Sequence, residues 1–315
     1  MPPMKVAIGQ IAPVLLDRER TLTKIVDAVA EAGSGEAELV VFGETLLPGY
    51  PVWIGRTDGA RFAAQDQKEY HSLYLEQAVD IGAGHLAPVQ AAAKEHGITV
   101  CLGVAERHQH SVFAARVFIG ADGEILSVHR KLRPTHEERL TWAPGDGAGL
   151  VVHPVGPFTV GGLNCWENWM PLARAALYAQ GEDLHCMLWP GSRRNTEDIT
   201  PVMAKEGRSY VISVSAPLRA ADVPADFPGR DLVVPDADEI VHDGGSCIAA
   251  PDGSWVIEPL GSEEAVVIAE IDPARVREER QNFDPAGHYS RPDVLDLTVD
   301  RRRLGGARFV DGDGA

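Results

Sequence analysis

The stretch FTVGGLNCWENWMPLARAALYAQG, residues 158–181, changes character midway, and that change sets the fold class. Phe158 to Asn164 is an apolar run of strand type. Met170 to Gln180 reads as a helix, with Asn168 a candidate N-cap, Pro171 suited to a first turn and Gly181 following as a C′ glycine. Cys165 therefore falls on the turn between a strand and a helix. Backbone N–H groups just after it, and the helix dipole, are expected to lower its thiol pKa and to stabilise negative charge on a bound molecule. The pair Gly161 and Gly162 would let another backbone or a substrate approach.

The same alternation extends outward in both directions. MKVAIGQI reads as a strand, TLTKIVDAVAEAG as a helix stopping at Gly33, and ELVVFGE as a buried strand, which is a βαβ unit. A helical stretch from Gln65 to His96, with a break expected at Gly82 to His85, leads through Gly97 to the strand ITVCLGVAE. Two hairpins are expected, one turning at Ala121-Asp122-Gly123 and one at Pro251-Asp252-Gly253. LHCMLWPG, RSYVISVSA and AVVIAEID are further strands, a helix-like segment spans Pro201 to Gly207, and Ala220 to Asp238 is a loop rich in Pro, Asp and Ala. No internal repeat or composition break appears, so residues 1–277 read as one α/β domain with mixed sheets covered by helices. The charged, Gly/Pro-punctuated segment 278–315 reads as an arm or tail.

Composition removes several classes of function. Twenty-nine basic against 46 acidic side chains leave a net charge of −17, a field that repels nucleic-acid phosphates and anionic membranes. Neither is expected as a partner. No apolar run reaches the roughly eighteen residues of a membrane span, and the start MPPMKVAIGQ lacks the layout of a secretory signal, so a soluble, cytoplasmic protein is expected. Cys101, Cys165, Cys186 and Cys247 are far apart, without a C-x-x-C pair, which suits free thiols in a reducing compartment. His129, His136 and His185 form no H-E-x-x-H or His-x-His cluster, and nucleotide-binding glycine motifs are missing. No metal and no cofactor are expected.

Taken alone, a free cysteine at a strand end is more often packing than chemistry. A nucleophilic thiol needs a base, and the charge it creates needs a positive donor. Glu44 stands at the tip of VVFGE beside the loop TLLPGYP, and Lys131 follows the strand EILSVHR where LRPTHEERL begins. Each, singly, is an ordinary loop charge. A Ser-His-Asp elbow and a papain-type cysteine signature are both absent.

Together these segments resemble the nitrilase superfamily. VVFGETLLPGYP resembles its glutamate motif, HRKLRPTHEERLTWAPGDG its lysine motif and GGLNCWENWMPLAR its cysteine motif, in the family's order, and DPAGHYSRPDVLDL resembles the C-terminal segment of true nitrilases. The likeness spans nearly the whole chain. It implies a four-layer αββα sandwich and a catalytic set of Glu44, Lys131 and Cys165. A second glutamate shapes such sites, and the Thr-His-x-Glu-Arg pattern puts that role on Glu138 rather than Glu137. Gly43 replaces the proline often found before the acid. Cys165-Trp166-Glu167 resembles the nitrile-hydrolysing branch, which implies a small-molecule nitrile as substrate and self-association as a dimer or larger spiral. Trp166 and Trp189, with Tyr50 third, are the candidates for the substrate pocket. An amidase or N-carbamoyl hydrolase using the same residues is the alternative, with a nitrile or cyanide hydratase or a non-catalytic scaffold further off.

Overall fold

The computed structural model describes residues 2–305 and 307. Two six-stranded mixed sheets carry the chain. The first contains β1 (Met4–Gln10), β2 (Leu39–Phe42), β3 (Thr99–His108), β4 (Ser111–Ile119), β5 (Ile125–Arg130) and β14 (Ala265–Ile271), in the order β14-β1-β2-β3-β4-β5. The second contains β6 (His153–Val155), β7 (Phe158–Asn164), β8 (Leu184–Trp189), β9 (Tyr210–Ser215), β12 (Cys247–Ala249) and β13 (Trp255–Ile257), in the order β13-β12-β9-β8-β7-β6. In each sheet the three central strands are parallel, β1-β2-β3 in one and β7-β8-β9 in the other. A small ladder of β10 (Leu218–Arg219) and β11 (Ile240–His242) stands apart. Both expected hairpins form, β4 with β5 and β12 with β13.

Residue alternation along the strands explains the layering. Val6 and Ile8 of β1, Leu39 and Val41 of β2, and Leu184, Cys186 and Leu188 of β8 share one core between the sheets. The intervening Ala7, Val40 and Phe42 face outward and are covered by α1 (Arg18–Ser34) and α4 (Ala87–His96). Helix α1 does this with Leu22, Ile25, Val29 and Ala32, at helical spacing, and Asp17 caps its first turn through Arg20 N–H. On the far side, α5 (Pro171–Tyr178) packs Ala173, Ala176 and Leu177 on Leu163, and α6 (Ile199–Gly207) packs Ile199 and Met203 on Met187 and Trp189. Helix, sheet, sheet, helix is a four-layer αββα sandwich. Each fully buried Leu, Ile or Val in these layers contributes roughly 1.5–3 kcal/mol.

The helical stretch expected over 65–96 divides. Helix α3 (Gln65–Gln77) ends well before α4, and between them Val79 bonds to Ala105 and Arg107 of β3. That excursion onto the end of β3 that the short β2 leaves unpaired is a tertiary contact with no local sequence signature. Two short helices, α2 (Trp53–Arg56) and α7 (Arg230–Val233), lie over the loops, and α8 (Pro273–Glu279) follows β14. Beyond it the chain runs along the surface, where Arg303 Nη1 and the Leu304 N–H both reach Asp146. Residues 306 and 308–315 of the arm lie outside the described residues. Among the described residues no helix is long and apolar enough to cross a membrane.

Candidate active site

The C-terminal ends of β2, β5 and β7 meet, which is where open α/β sheets place their ligands. Strand β7 ends at Asn164, and Cys165 turns off it with φ of 52°, a left-handed value that non-glycine residues rarely adopt. A 3-10 turn over Cys165–Trp169 follows, and α5 starts only at Pro171 with Met170 as its N-cap. This corrects the expected N-cap from Asn168 to Met170, with the helix itself where it was expected. Of the two glycines, Gly162 admits another backbone, that of β8, whereas the space at Gly161 is taken by a side chain. A Cβ at Gly161 would stand 2.1 Å from Glu182 Oε1, and one at Gly162 2.5 Å from the Cys186 carbonyl.

Glu44 leaves β2 toward the second sheet, and its N–H donates to the Trp189 carbonyl at 2.9 Å. Gly43 makes that approach feasible, since a Cβ there would lie 2.9 Å from both Trp189 O and Ala216 N. A side chain at this position would push the two strand ends apart. Lys131, continuing from β5, brings its ammonium 2.9 Å from Glu44 Oε1 and 2.7 Å from Glu138 Oε2. Glu138 is locked by Thr135 N–H at 2.6 Å and by the Tyr50 hydroxyl at 3.0 Å, whereas Glu137 turns outward to His136. Glu44 lies close to the ammonium but off a hydrogen-bonding line, and among the described residues neither of its oxygens has an aligned donor. Acceptor capacity is thus left on Glu44. One atom each from Glu44, Glu138 and Cys165 lies within 4.8 Å of the others, and the ammonium already sits against both carboxylates of that group.

Burial governs the electrostatics. Glu44, Lys131, Glu138 and Cys165 are each at most 2% exposed. Burial pushes the Glu44 carboxyl up to about 8, against the pull of Lys131 and with help from Glu138 and Glu167. Burial likewise drives the Cys165 thiol well above its usual value, with Glu44 adding to the effect and Lys131 opposing it. The expected depression by a helix dipole is overturned, because α5 begins past an intervening turn and desolvation outweighs it. Lys131 loses by burial but gains more from Cys165, Glu44 and Glu138, so its charge is held firmly. The resting thiol is protonated, and it needs a base beside it before it can attack.

Outside this cluster opens a cavity of about 680 Å³, lined by Cys165, Glu138, Tyr50, Trp166, Thr135 and His242 among others. Of the aromatic candidates, Tyr50 and Trp166 line it, the latter 52% exposed at its mouth. Trp189 does not. It is wholly buried under the cysteine with Met187, Ile199 and Met203, because the outward-facing positions of β8 point into the α6 layer. His242, on β11, carried no sequence signal. Its ring stands 5.9 Å from Tyr50, and burial and then Arg56 hold it down at about 4, so it is neutral at pH 7. Only the docking of the long 220–238 loop brings it to the cavity.

Known proteins share this sequence and this shape. The profile of the carbon-nitrogen hydrolase family matches residues 5–281. An aliphatic nitrilase of Rhodococcus rhodochrous is 33% identical, over 99% of this chain and 83% of its own length. An arylacetonitrilase of Aspergillus niger is 33% identical, over 94% of this chain and 92% of its own, and a bifunctional nitrilase/nitrile hydratase of Lupinus angustifolius is 34% identical, over 95% and 86%. Among solved structures, the amidase of Nesterenkonia sp. AN1, seen after Michael addition of acrylamide at its active-site cysteine, matches with a TM-score of 0.65. Its 18% identity, over 89% of this chain and 97% of that one, speaks for the fold alone.

Proposed function

This chain belongs to the carbon-nitrogen hydrolase family, and we propose that it is a nitrilase, converting an organic nitrile to the carboxylic acid and ammonia. The observation that carries the site assignment is the buried Lys131 ammonium held against Glu44 and Glu138 beside a strained, protonated Cys165. The nitrilase relatives supply the substrate class.

In this reading Glu44 takes the Cys165 proton and the thiolate attacks the nitrile carbon. The nitrogen is protonated to give a thioimidate, and water adds to it. Lys131 and the Trp166 N–H stabilise the tetrahedral species, which expels ammonia to leave a thioester. A second water, activated by Glu44, hydrolyses the thioester to the acid and returns the thiol. Glu138 holds the ammonium and Tyr50 in place and faces the cavity, where it orients water or substrate. Two waters are consumed for each nitrile. Trp166 and Tyr50 shape the pocket, while Trp189 supports the elbow from within the core.

Initial rates on a panel of aliphatic, aromatic and arylacetic nitriles, each beside its amide, test the reading. We expect acid and ammonia as main products, some released amide, and slower turnover of the free amide, because a linear nitrile carbon needs less room beside Trp166 than a trigonal one. Faster hydrolysis of the amides would move the protein to the amidase alternative, which uses the same residues. Amide as sole product would make it a hydratase.

We also read residues 1–277 as the hydrolase domain and 278–315 as an arm at a subunit boundary of a homodimer or larger spiral. Trp169, Met170 and Leu172 beside the elbow, and Tyr289, Val294 and Leu295 on the arm, are exposed apolar side chains in support of it. Light scattering is expected to give at least a dimer, and a fully active monomer would refute the arm's role. Four free, buried cysteines fit a reducing cytoplasm as the working compartment.

A further inference from the structure

On the outer face of the second sheet, behind the nucleophile, three buried side chains form a chain that the reaction scheme leaves unused. His185 Nδ1 lies 2.8 Å from Glu182 Oε1, and His185 Nε2 lies 2.8 Å from Asn168 Oδ1. Asn168 Nδ2 then donates to the Cys165 carbonyl at 2.8 Å and to the Leu163 carbonyl at 3.3 Å. All three residues are fully buried. The two peptide oxygens can only accept, so the Asn168 amide is fixed with its NH₂ toward them and its oxygen toward His185. That oxygen also accepts, which puts a proton on His185 Nε2. At its other nitrogen, Nδ1, the ring shares a hydrogen bond with Glu182, so the imidazole is fixed from both sides.

The fold makes room for this arrangement at some expense. Gly161 leaves space for the Glu182 carboxyl group, and its other oxygen has no hydrogen-bond partner among the described residues. A buried polar chain of this kind adds little net stability compared with apolar packing, and a buried unsatisfied oxygen is unfavourable. Its position relative to the elbow supplies a reason for it. The Cys165–Trp166 peptide is trans, so its carbonyl and its N–H point to opposite sides. With the carbonyl drawn back into the sheet layer by Asn168, the Trp166 N–H points away from that layer.

We propose that Asn168, His185 and Glu182 are positioning residues that hold the Cys165–Trp166 peptide with its N–H facing the atom that gains negative charge on the substrate. This rests on the cysteine-hydrolase reading above. Each hydrogen bond in the chain fixes the orientation of the next, and the strained φ at Cys165 gives the peptide something to be held against.

The test compares two reactions of one thiol. Hydrolysis passes through a species with negative charge beside the Trp166 N–H, whereas alkylation by iodoacetamide displaces iodide at a methylene carbon and creates no such charge. Asn168→Ala is expected to lower kcat roughly 100-fold, the size of a lost oxyanion donor, with KM little changed and Cys165 alkylated at the wild-type rate. His185→Gln, which still offers an amide proton to Asn168, should keep more activity than His185→Leu. Should Asn168→Ala not fold, Glu182→Gln keeps the shape and is expected to show a smaller loss with the same split. Wild-type turnover in Asn168→Ala would overturn the proposal, and so would turnover and alkylation falling together, which marks a merely structural role. If the wild type hydrolyses amides and not nitriles, the nitrilase reading fails alone, because amide turnover reports on the same donor.

Discussion

Cys165→Ala is expected to lower nitrile turnover by at least about three orders of magnitude while leaving the fold intact. The loss is large because the remaining groups have no covalent route. Glu44 still offers a base and Lys131 a cation, but water is a poor nucleophile toward a nitrile without the thioimidate path. The fold survives because the substitution removes a single sulfur from a cluster with Met187 and Trp189, a cost of about 1 kcal/mol, and alanine takes the same left-handed turn as cysteine. Ammonia release and a thermal melt on the same preparation check both halves. Alanine at Cys101, Cys186 or Cys247, all buried and outside the cavity lining, should retain turnover. A Cys165→Ala protein working at the wild-type rate would remove the whole assignment.

Lys131→Met is expected to abolish turnover and, unlike the cysteine change, to destabilise the protein by roughly 3–5 kcal/mol. It leaves Glu44 and Glu138 buried near each other with no cation between them, and two such carboxylates cannot both stay ionised. They respond by taking up protons, which sets the pH dependence. Burial already holds the Glu44 carboxyl up at about 8 with the ammonium present, and without that opposing pull its folded pKa rises further above the ordinary carboxylate value. A carboxyl whose folded pKa is raised contributes stability fully present below its unfolded pKa and lost as pH rises through the folded one. The deficit of Lys131→Met relative to wild type should therefore be small near pH 5 and grow through pH 8 and beyond. Melting curves at pH 6 and pH 9 measure it. An equal deficit at both, or none, would show that the ammonium does not neutralise these carboxylates.

The two outcomes differ because the residues hold different kinds of position. Cys165 is a small group on a strained backbone, whereas Lys131 is the positive member of a buried charge cluster. Sequence reading treats them alike, as reactive residues at strand ends.

Much of the architecture was legible in the order of residues. Apolar runs of four to ten residues, helical spacing in TLTKIVDAVAEAG, Asp-Gly turns and the strand-to-helix change around Cys165 are local signals, and local signals survive translation into strands, hairpins and helices. They also put Glu44, Lys131 and Cys165 at strand ends, whereas Glu138 was singled out only by the resemblance of its Thr-His-x-Glu-Arg pattern to the family's lysine motif. Contact and solvation were decided by the tertiary structure alone. Tyr50 and Glu138 meet across 88 positions of chain, and the outward register of β8 carries Trp189 into the core rather than the cavity. Gly161 makes room for the buried Glu182, and His242 arrives on β11, far along the chain from the other lining residues. The thiol pKa moves opposite to the local expectation, because a dipole is read from neighbours in sequence while desolvation is the sum over everything the fold packs around the group.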